Sequence, residues 1–582
     1  MLIETSRRFD FRSRAWAVSE GCWIVLSIGL LAMVARCGVN LPYMDEWPTV
    51  DALANRQPLF AWLFGWHNEH LLPLPRLLYW FAFQIHHDLR VGMVISVLMW
   101  SALARLFMTA ARSARGSPAF ADCLFPCLLL HPGQYENVLM SYQIGFALSS
   151  LLAGMLFILM SSQPASVSRV IAVGLCAAAL PLCGGHGLLF GLAGVGWLAI
   201  VGTAGLLRKG QVSRSVGVVA AFGLVAAVAT ASLYIWLPGK PPSPLFTPEL
   251  SVARWIAGVF GFGAAGYGPV GERLWAVTAV LPAGIWAVTV LVVWKQRREL
   301  TGPRWAAFVG GIAAVAGVTL LAMAISWGRS RHGLHTVFFP RYCGLSALLP
   351  ATAVLFWLRF GPHRISRMAS SVVAAVALIA LPYNVWSGWG SAERLAEIQR
   401  CAVTDLTTGV PVEVVARKYH FLIYNNPAAV TGFIERYVEY GIGPIPTVVH
   451  EPNSRLVPLP QPTPDGPIRQ LDRDGWISTG PDAGLMFNLD QPQFAYAVVI
   501  RGQYRYPGTW PPARATVTVR RAPDGQVETS TMPVFRYPTQ DQGDSAIIVW
   551  VNGLVSEVRV SPDTGSWGFR VTGADLMVPA NP

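Results

Sequence analysis

The sequence predicts a polytopic α-helical membrane protein with a C-terminal β-sandwich. Of its 582 residues 53% are hydrophobic and only 13% are charged, and the mean hydropathy is +0.43. Soluble proteins carry roughly 25% charged residues, so the composition excludes a soluble globular enzyme, and it equally excludes a disordered chain. Apolar runs follow one another from about residue 16 to 387, and alternating strand patterns begin near residue 451.

The first apolar run indicates the orientation of the chain. Arg7, Arg8, Arg12 and Arg14 precede a run over about 16–37. This run is too long for the core of a signal peptide, and cationic flanks favour the cytoplasmic side, so we expect a first span that starts inside. With it, the later runs predict about eleven spans: 91–112, 118–131, 143–161, 168–183, 187–206, 215–237, 273–294, 304–327, 342–359 and 367–387.

The segment from His70 to His86 is predicted to lie in the membrane interface. It reaches only about 24 Å against a hydrocarbon core of about 30 Å, and it contains Pro73, Pro75 and Arg76. If it does not span, the basic clusters between later spans all fall inside, as the positive-inside bias requires. The loops 39–90, 132–142, 183–187, 238–272 and 327–341, and the C-terminal tail, then face outward.

The chain is predicted to divide into three parts. Residues 1–390 form a transmembrane domain, and 391–450 form a short helical connector with patterns such as AERLAEIQRCAVTDL and PAAVTGFIERYVEY. Residues 451–582 carry strand patterns about ten residues apart, such as RATVTVRRAP and SAIIVWVNG, which indicate an antiparallel β-sandwich. The net charge of +12 indicates contact with membrane lipids, and we find no nucleic-acid module.

Asp45 and Glu46 open the first outward loop, in the sequence LPYMDEWPTVDAL. They fit a structural role, because Pro48 suits the first turn of a helix and acids there are favoured by the helix dipole. They also fit a general base at the membrane surface, which takes a proton from an attacking hydroxyl. The same loop holds Glu69 and His70 in the sequence WHNEH, without the spacing of a known metal motif.

Two further outward loops carry unusual polar residues. The loop 132–142 and its border hold Gln134, Glu136, Asn137 and Gln143, whose amides and carboxylate suit sugar hydroxyls or a hard cation. The loop 327–341 is basic against the positive-inside bias, and arginine binds phosphate bidentately. Its candidate phosphate-binding residues, with a point charge from the preceding loop, are Arg329, Arg331, His332, Arg341 and Lys240.

These elements resemble the GT-C superfamily of glycosyltransferases, which use polyprenyl-phosphate sugars. The resemblance rests on the acidic pair after the first span, the interfacial helix, the many spans and the outward tail, together with the short elements MDEW, HNEH, QYEN and GR…RY. It covers about residues 1–390 by architecture. The WWDxG signature of oligosaccharyltransferases is absent from the sequence, and the tail is similar in layout to that of mycobacterial arabinosyltransferases.

The resemblance implies an inverting transfer to a hydroxyl of a cell-envelope glycan or glycolipid. It implies that Asp45 is the catalytic base with Glu46 second, and that Glu136 is a second acid that supports the acceptor or a metal. The arginines of the late loop would hold the donor phosphate. A divalent cation, Mg or Mn, held by Asp45 and Glu136 is one expectation, and no other cofactor is expected. The resemblance places the chain in a bacterial inner membrane, with the N-terminus cytoplasmic and the tail periplasmic.

Three alternatives stay open at the level of sequence. A lipid-linked glycan transporter or flippase would place charged residues in mid-span, and the predicted spans are nearly free of them. An O-antigen ligase or polymerase would share the arginines but need no acid in the first loop. A non-catalytic glycan-binding envelope protein would need neither the outward acids nor the outward arginines.

Overall fold

The structure is a computed structural model of the chain. It describes residues 2–163, 165–207, 212–239, 252–301, 304–329, 333–424, 426–470, 475–478, 483–505, 514–523, 525–533, 545–562 and 568–580. The chain forms two compact units. The helical unit comprises Met1–Asn40 and Asp51–Ala396, and the sheet unit comprises Leu41–Val50 and Glu397–Pro582.

The compact units differ from the predicted domains in two respects. The predicted boundary at 390 falls inside one continuous helix, His363–Thr407, and the units separate at residue 396 instead. The short stretch Leu41–Val50 belongs to the sheet unit, although it follows the first helix directly. One helix covers both the last predicted span and AERLAEIQRCAVTDL, although Pro382 lies inside it and Gly388 and Gly390 follow.

Helices dominate the helical unit. In chain order they are α1 Leu2–Cys37, α2 Val50–Leu53, α3 Leu59–Phe64, α4 Pro73–His86, α5 Arg90–Arg115, α6 Leu124–Leu129, α7 Tyr135–Leu139, α8 Ile144–Met160, α9 Val167–Ala179, α10 Gly185–Leu206, α11 Arg214–Trp236, α12 Val252–Ala265, α13 Pro269–Arg273, α14 Trp275–Thr278, α15 Val280–Lys295, α16 Trp305–Arg329, α17 Pro340–Phe360 and α18 His363–Thr407. Short 3₁₀ turns at 44–49, 120–123, 132–134, 141–143, 180–183, 297–300 and 334–338 join several of them.

Among the described residues, nine helices are long and apolar enough to cross a membrane. They confirm that the described part of the chain is rich in apolar helices of membrane-spanning length. Nine of the eleven predicted spans therefore correspond to span-length helices. The two others, 118–131 and 168–183, are built from shorter pieces: 3₁₀ turn and α6 in the first, α9 and a 3₁₀ turn in the second. The predicted loop 238–272 holds the 14-residue helix α12.

The interfacial segment is a single short helix. α4 has 14 residues, with Pro73 at its start, so at 1.5 Å per residue it is about 21 Å long. Arg76 and Tyr79 on one face are buried, whereas Leu77, Phe81 and Ile85 are exposed at i, i+4 and i+8 on the other. This apolar exposed stripe is what a helix at a membrane surface presents to lipid.

Residues 120–143 form what we call the interrupted segment, a run of two α-helical and three 3₁₀ pieces. Pro126 and Pro132 lack the N–H that a continuous helix needs, and Gly133 follows directly. At its start, Asp122 accepts hydrogen bonds from Arg112 and Arg115, in the last turn of α5. At its end, the Ser141 hydroxyl donates to the carbonyl of Leu89, just before α5 begins. The segment therefore runs the whole length of α5.

The start of the interrupted segment lies in a paired charge cluster of Glu20, Arg112, Arg115 and Asp122. Asp122 is fully buried. One of its carboxylate oxygens also accepts the backbone N–H of Ala119 at 3.0 Å. Arg112 in addition bonds Glu20 and the hydroxyl of Ser19. Each buried charge is compensated, as low-dielectric surroundings require.

The sheet unit joins helices to one antiparallel sheet. After α18 come α19 Val412–Ile423 and α20 Pro427–Glu439. The described strands form a nine-stranded sheet in the order β3-β4-β9-β5-β8-β6-β7, with β1 on β9 and β2 on β5. They are β1 Ser454–Pro458, β2 Thr463–Asp465, β3 Ile468–Gln470, β4 Gly475–Ser478, β5 Gly484–Arg505, β6 Arg514–Arg521, β7 Val527–Pro533, β8 Ser545–Pro562 and β9 Gly568–Pro579. The two predicted strands SAIIVWVNG and VSEVRVSP are one strand, β8.

Candidate functional site

A basic-aromatic cluster of Arg329, Phe339, Arg341 and Tyr342 lies where α16 ends and α17 begins. Nε of Arg329 donates to the Tyr342 hydroxyl at 3.0 Å. The guanidinium carbons of Arg329 and Arg341 lie 6.0 and 5.7 Å from the centre of the Tyr342 ring, and Arg341 lies 5.1 Å from the ring of Phe339. Two arginines are thus held beside one aromatic ring at a helix N-terminus, where the dipole favours an anion.

Glu136 meets this cluster directly. Its carboxylate accepts a hydrogen bond from the backbone N–H of Arg341. The positive charge of Arg341 also lies close enough to interact with this carboxylate. The predicted second acid and one predicted phosphate-binding arginine are therefore neighbours, although 205 positions separate them in the sequence (341 minus 136).

A chain of rings links the first loop to the same cluster. His67 and His70 exchange backbone hydrogen bonds of 2.9 Å across a tight turn, and Nε2 of His70 lies 3.7 Å from a Glu69 carboxylate oxygen. The rings of His70 and His186 are 6.5 Å apart. His186 stacks on Phe146 at 4.6 Å, and Phe146 lies 6.2 Å from Tyr342. The sequence patterns assigned no role to His186 or to Phe146.

Arg76 is a second residue that sequence reasoning missed. It is 4% exposed and its Nε donates to the Tyr142 hydroxyl at 3.1 Å. Its Nη1 donates to the carbonyls of Gly65, at 2.6 Å, and Trp62. The sequence does show Arg76 as a charged residue within an apolar segment. The sequence analysis uses it only as an argument that this segment does not span the membrane.

The predicted polar loop 132–142 is not an exposed loop. Gln134 and Asn137 are fully buried and Gln143 is 4% exposed. The Asn137 amide nitrogen donates to the Gln134 side-chain oxygen at 3.3 Å, and the Gln143 amide nitrogen contacts the Met140 sulfur at 3.3 Å. These residues are buried because the interrupted segment packs against α5 and α17.

The predicted catalytic acids belong to the sheet unit. Glu46 is buried, and its carboxylate accepts the backbone N–H of Tyr43 at 2.9 Å, which caps the 3₁₀ turn Met44–Thr49. That contact is the one expected of a residue that starts a helix. Asp45 is partly exposed on the same turn. Lys240, Arg331 and His332 lie outside the described residues.

The described residues do not fit a resident metal ion. No group of three or more His, Cys, Asp or Glu side chains is close enough together, within the described ranges, to hold one. Glu136 is turned towards the N–H and the charge of Arg341, surroundings that suit an anion and not a cation. The expected Mg or Mn site at Asp45 and Glu136 stays a prediction, and no step below depends on it.

The chemistry available at the cluster is the binding of a phosphate monoester or diester beside a carboxylate. Arginine and helix N–H groups stabilise such an anion, and the neighbouring rings offer flat apolar surfaces. Comparison with protein-family models gives no match, and comparison with curated proteins gives no similar sequence. The argument for function therefore rests on the chain itself.

Proposed function

We propose that the protein is an inverting glycosyltransferase of the GT-C type that uses a polyprenyl-phosphate sugar. One observation carries the proposal: Arg329 and Arg341 lie against Tyr342 at the start of α17. Short outward loops avoid arginine. An anionic headgroup bound at this position accounts for both charges. The acceptor is a hydroxyl of an envelope glycan or glycolipid.

The proposal includes a membrane with about eleven passes. Besides the nine span-length helices, the interrupted segment passes from the paired charge cluster to Leu89, along the whole of α5. Residues 167–183 form a seventeen-residue apolar stretch that is just short of span length. An odd number of passes brings the sheet unit to the outer side of the inner membrane, where its antiparallel sheet would face the envelope glycans.

In the proposed reaction the acceptor hydroxyl oxygen attacks the anomeric carbon of the donor. The bond from that carbon to the phosphate oxygen breaks, the phosphate keeps the electron pair, and the anomeric centre inverts. Arg329 and Arg341 stabilise the extra negative charge on the departing polyprenyl phosphate. The hydroxyl proton passes to a carboxylate, which the family resemblance assigns to Asp45, with Glu136 as the second acid.

The test is a transfer assay on purified protein in detergent. Polyprenyl-phosphate sugars are offered with extracted envelope glycans, and released polyprenyl phosphate is measured for wild type, Asp45→Asn, Glu136→Gln and Arg341→Gln. Asp45→Asn is expected to lose about two or more orders of magnitude in kcat. Asp88→Asn is the matched control, because Asp88 is paired with Arg90 away from the cluster. A chelator arm tests the cation.

Other outcomes point elsewhere. Full turnover by Asp45→Asn with loss in Arg341→Gln would contradict the base assignment and favour a ligase or polymerase. No turnover by a folded wild type on any donor would contradict a transferase.

The interrupted segment favours one second candidate in that case, a lipid-linked glycan transporter, because broken spans line the binding sites of transporters. Movement of a labelled lipid-linked glycan across proteoliposomes would support it.

A further inference from the structure

Arg273, Tyr383 and Trp386 form what we call the second cluster, at the end of the helical unit that the proposed topology turns outward. Nη1 of Arg273, the last residue of α13, donates to the Tyr383 hydroxyl at 3.1 Å. The guanidinium carbon lies 5.6 Å from the centre of the Tyr383 ring, and that ring lies 5.6 Å from the ring of Trp386. Arg273 is exposed and Trp386 is 64% exposed, so a ligand can reach the cluster from outside.

The second cluster repeats the contact that characterises the proposed phosphate site. There, Nε of Arg329 donates to the Tyr342 hydroxyl at 3.0 Å, and the guanidinium carbon lies 6.0 Å from the Tyr342 ring. In both places a tyrosine uses one N–H of the arginine, which fixes the fork and leaves its other N–H groups for an anion. Among the described residues, no carboxylate is paired with Arg273.

Helix α13 connects the second cluster to the proposed phosphate site. Glu272, the residue before Arg273, lies close enough to Cys343 to interact with it electrostatically. Cys343 directly follows Tyr342 in the chain. Two neighbouring residues of α13 therefore reach the start of α17 on one side and the second cluster on the other.

Hydrogen bonds hold α13 against α18. The side chain of Asn384, next to Tyr383, accepts the N–H of Val270 at 3.2 Å and donates to the carbonyl of Tyr267 at 2.7 Å. Asn384 is buried. The position of Arg273 beside Tyr383 is therefore set by paired polar groups in the layer beneath it.

The level of the second cluster in the proposed membrane indicates the kind of anion. α13 directly precedes the span-length helix Trp275–Lys295, whose far end carries the basic residues that the positive-inside bias favours. Arg273 stands at the opposite end, beside a tyrosine and a tryptophan. These aromatic residues mark the headgroup level of a bilayer, where the phosphates of lipids lie, and arginine binds phosphate with its fork.

We infer that the second cluster binds the phosphate of a second lipid, and that this lipid carries the acceptor glycan. The inference rests on the proposed function, because the donor phosphate occupies Arg329 and Arg341. It adds the acceptor class: a glycan linked to a lipid through phosphate or diphosphate, rather than a free polysaccharide. Two lipid phosphates bound on either side of α13 bring the donor and acceptor head groups together.

The first experiment counts bound lipids. Polyprenyl phosphate is the probe, because its headgroup fits both sites. Wild type, Arg273→Gln, Arg341→Gln and the double variant are titrated in detergent, and the bound molecules are counted by native mass spectrometry. Wild type is expected to bind two. Each single variant is expected to bind one as wild type does and the other about tenfold more weakly, and the double variant to bind both weakly.

Arg297 provides a matched control at the other end of the same span. Its Nη1 donates to the Trp294 carbonyl at 3.2 Å, and its guanidinium carbon lies 5.7 Å from the Trp294 ring. Arg297→Gln removes a similar charge beside a similar ring and should leave both bound lipids in place. The melting temperatures of the Arg273 and Arg297 variants should match that of wild type, because both side chains are exposed.

Two further measurements identify the source of the phosphate. A tenfold excess of phosphatidylglycerol or inorganic phosphate should not displace the second polyprenyl phosphate. In the transfer assay, Arg273→Gln should raise the KM for a polyprenyl-diphosphate-linked glycan about tenfold and leave the KM for the donor unchanged. A lipid-free glycan should be a poor acceptor for wild type and variant alike.

Four results would overturn the inference. If wild type binds one lipid, which Arg341→Gln loses and Arg273→Gln keeps, the second cluster binds no lipid, although the proposed function stands. If Arg297→Gln weakens binding equally, or phosphatidylglycerol displaces the probe, the cluster makes only general membrane contact. An unchanged KM for the lipid-linked glycan in Arg273→Gln contradicts the acceptor assignment. If wild type binds no polyprenyl phosphate, the proposed function and the inference both fail.

Discussion

The two ends of the interrupted segment hold polar residues in opposite ways. At the end near Arg115, every group of the paired charge cluster has a partner of opposite charge. At the end near Leu89, Asn137 and Gln143 each keep a buried oxygen that no described group pairs. Both ends are buried, and they differ in whether each polar group has a partner among the described residues.

The largest expected effect is at the paired end. Asp122→Asn removes a buried carboxylate from between two arginines, and we expect the free energy of unfolding to fall by about 3–5 kcal/mol. Unfolding by SDS in mixed micelles measures it. The partly exposed carboxylate of Asp88 is the control, since Asp88→Asn should cost less than about 1 kcal/mol. Equal losses of stability in the two variants would contradict the claim that buried charge pairing stabilises this end of the segment.

An intermediate effect is expected where the segment meets α5 again. Ser141→Ala removes the hydrogen bond from the Ser141 hydroxyl to the Leu89 carbonyl, which should cost about 1 kcal/mol. The same unfolding assay measures it. A loss several times larger than this value would contradict a role limited to one neutral hydrogen bond.

The smallest effect is expected at an exposed pair in the sheet unit. Nδ1 of His450 lies 2.9 Å from a Glu413 oxygen, with Glu435 at 3.9 Å. The hydrogen bond that His450 donates to the Glu413 carboxylate raises the pKa of His450 above 6.5. Burial opposes the change at Glu413, but the bonds from His450 and the backbone of Glu451 hold its pKa below 4.5.

The pH dependence of this pair follows from those two directions. The His450 contribution is complete below pH 6.5 and is lost as pH rises through the raised pKa. The Glu413 contribution is complete above pH 4.5 and is lost as pH falls through the lowered pKa. His450→Gln should therefore reduce amide protection in α19 slightly at pH 5.5 and not at pH 9. A loss that is equal at both values would show a packing role.

Sequence patterns predicted the long helices well because apolar length is a strong and local signal. They predicted strands in the sheet unit but divided β8 at Asn552. This residue has a positive φ, which is typical of a turn, but the strand continues through it. They did not predict that residues 132–142 are buried, because polar composition carries no information about tertiary contacts. Whether Gln134 is buried depends on α5 and α17, which lie far away in sequence.

The candidate site shows the same limit. The arginines of the late loop stood out from their sequence, because they oppose the charge bias. Nothing local predicted that Glu136 would accept an N–H from Arg341, or that Phe146 would stack between His186 and Tyr342. Contacts of this kind arise from tertiary packing, which cannot be inferred from residue patterns and spacing alone.

The attachment of residues 41–50 to the sheet unit has a consequence for synthesis. Trp47 is fully buried, and its ring lies 6.2 Å from Phe433 and 5.7 Å from Tyr437. These partners leave the ribosome hundreds of residues later, which at about 5–20 residues per second is a delay of roughly 20–80 s. The turn that carries Asp45 cannot acquire its packing before then. A chain that ends after its last membrane helix would keep Arg329 and Arg341. It would lack the residues against which Trp47 packs, so Asp45 would reach its final position only in the full-length chain.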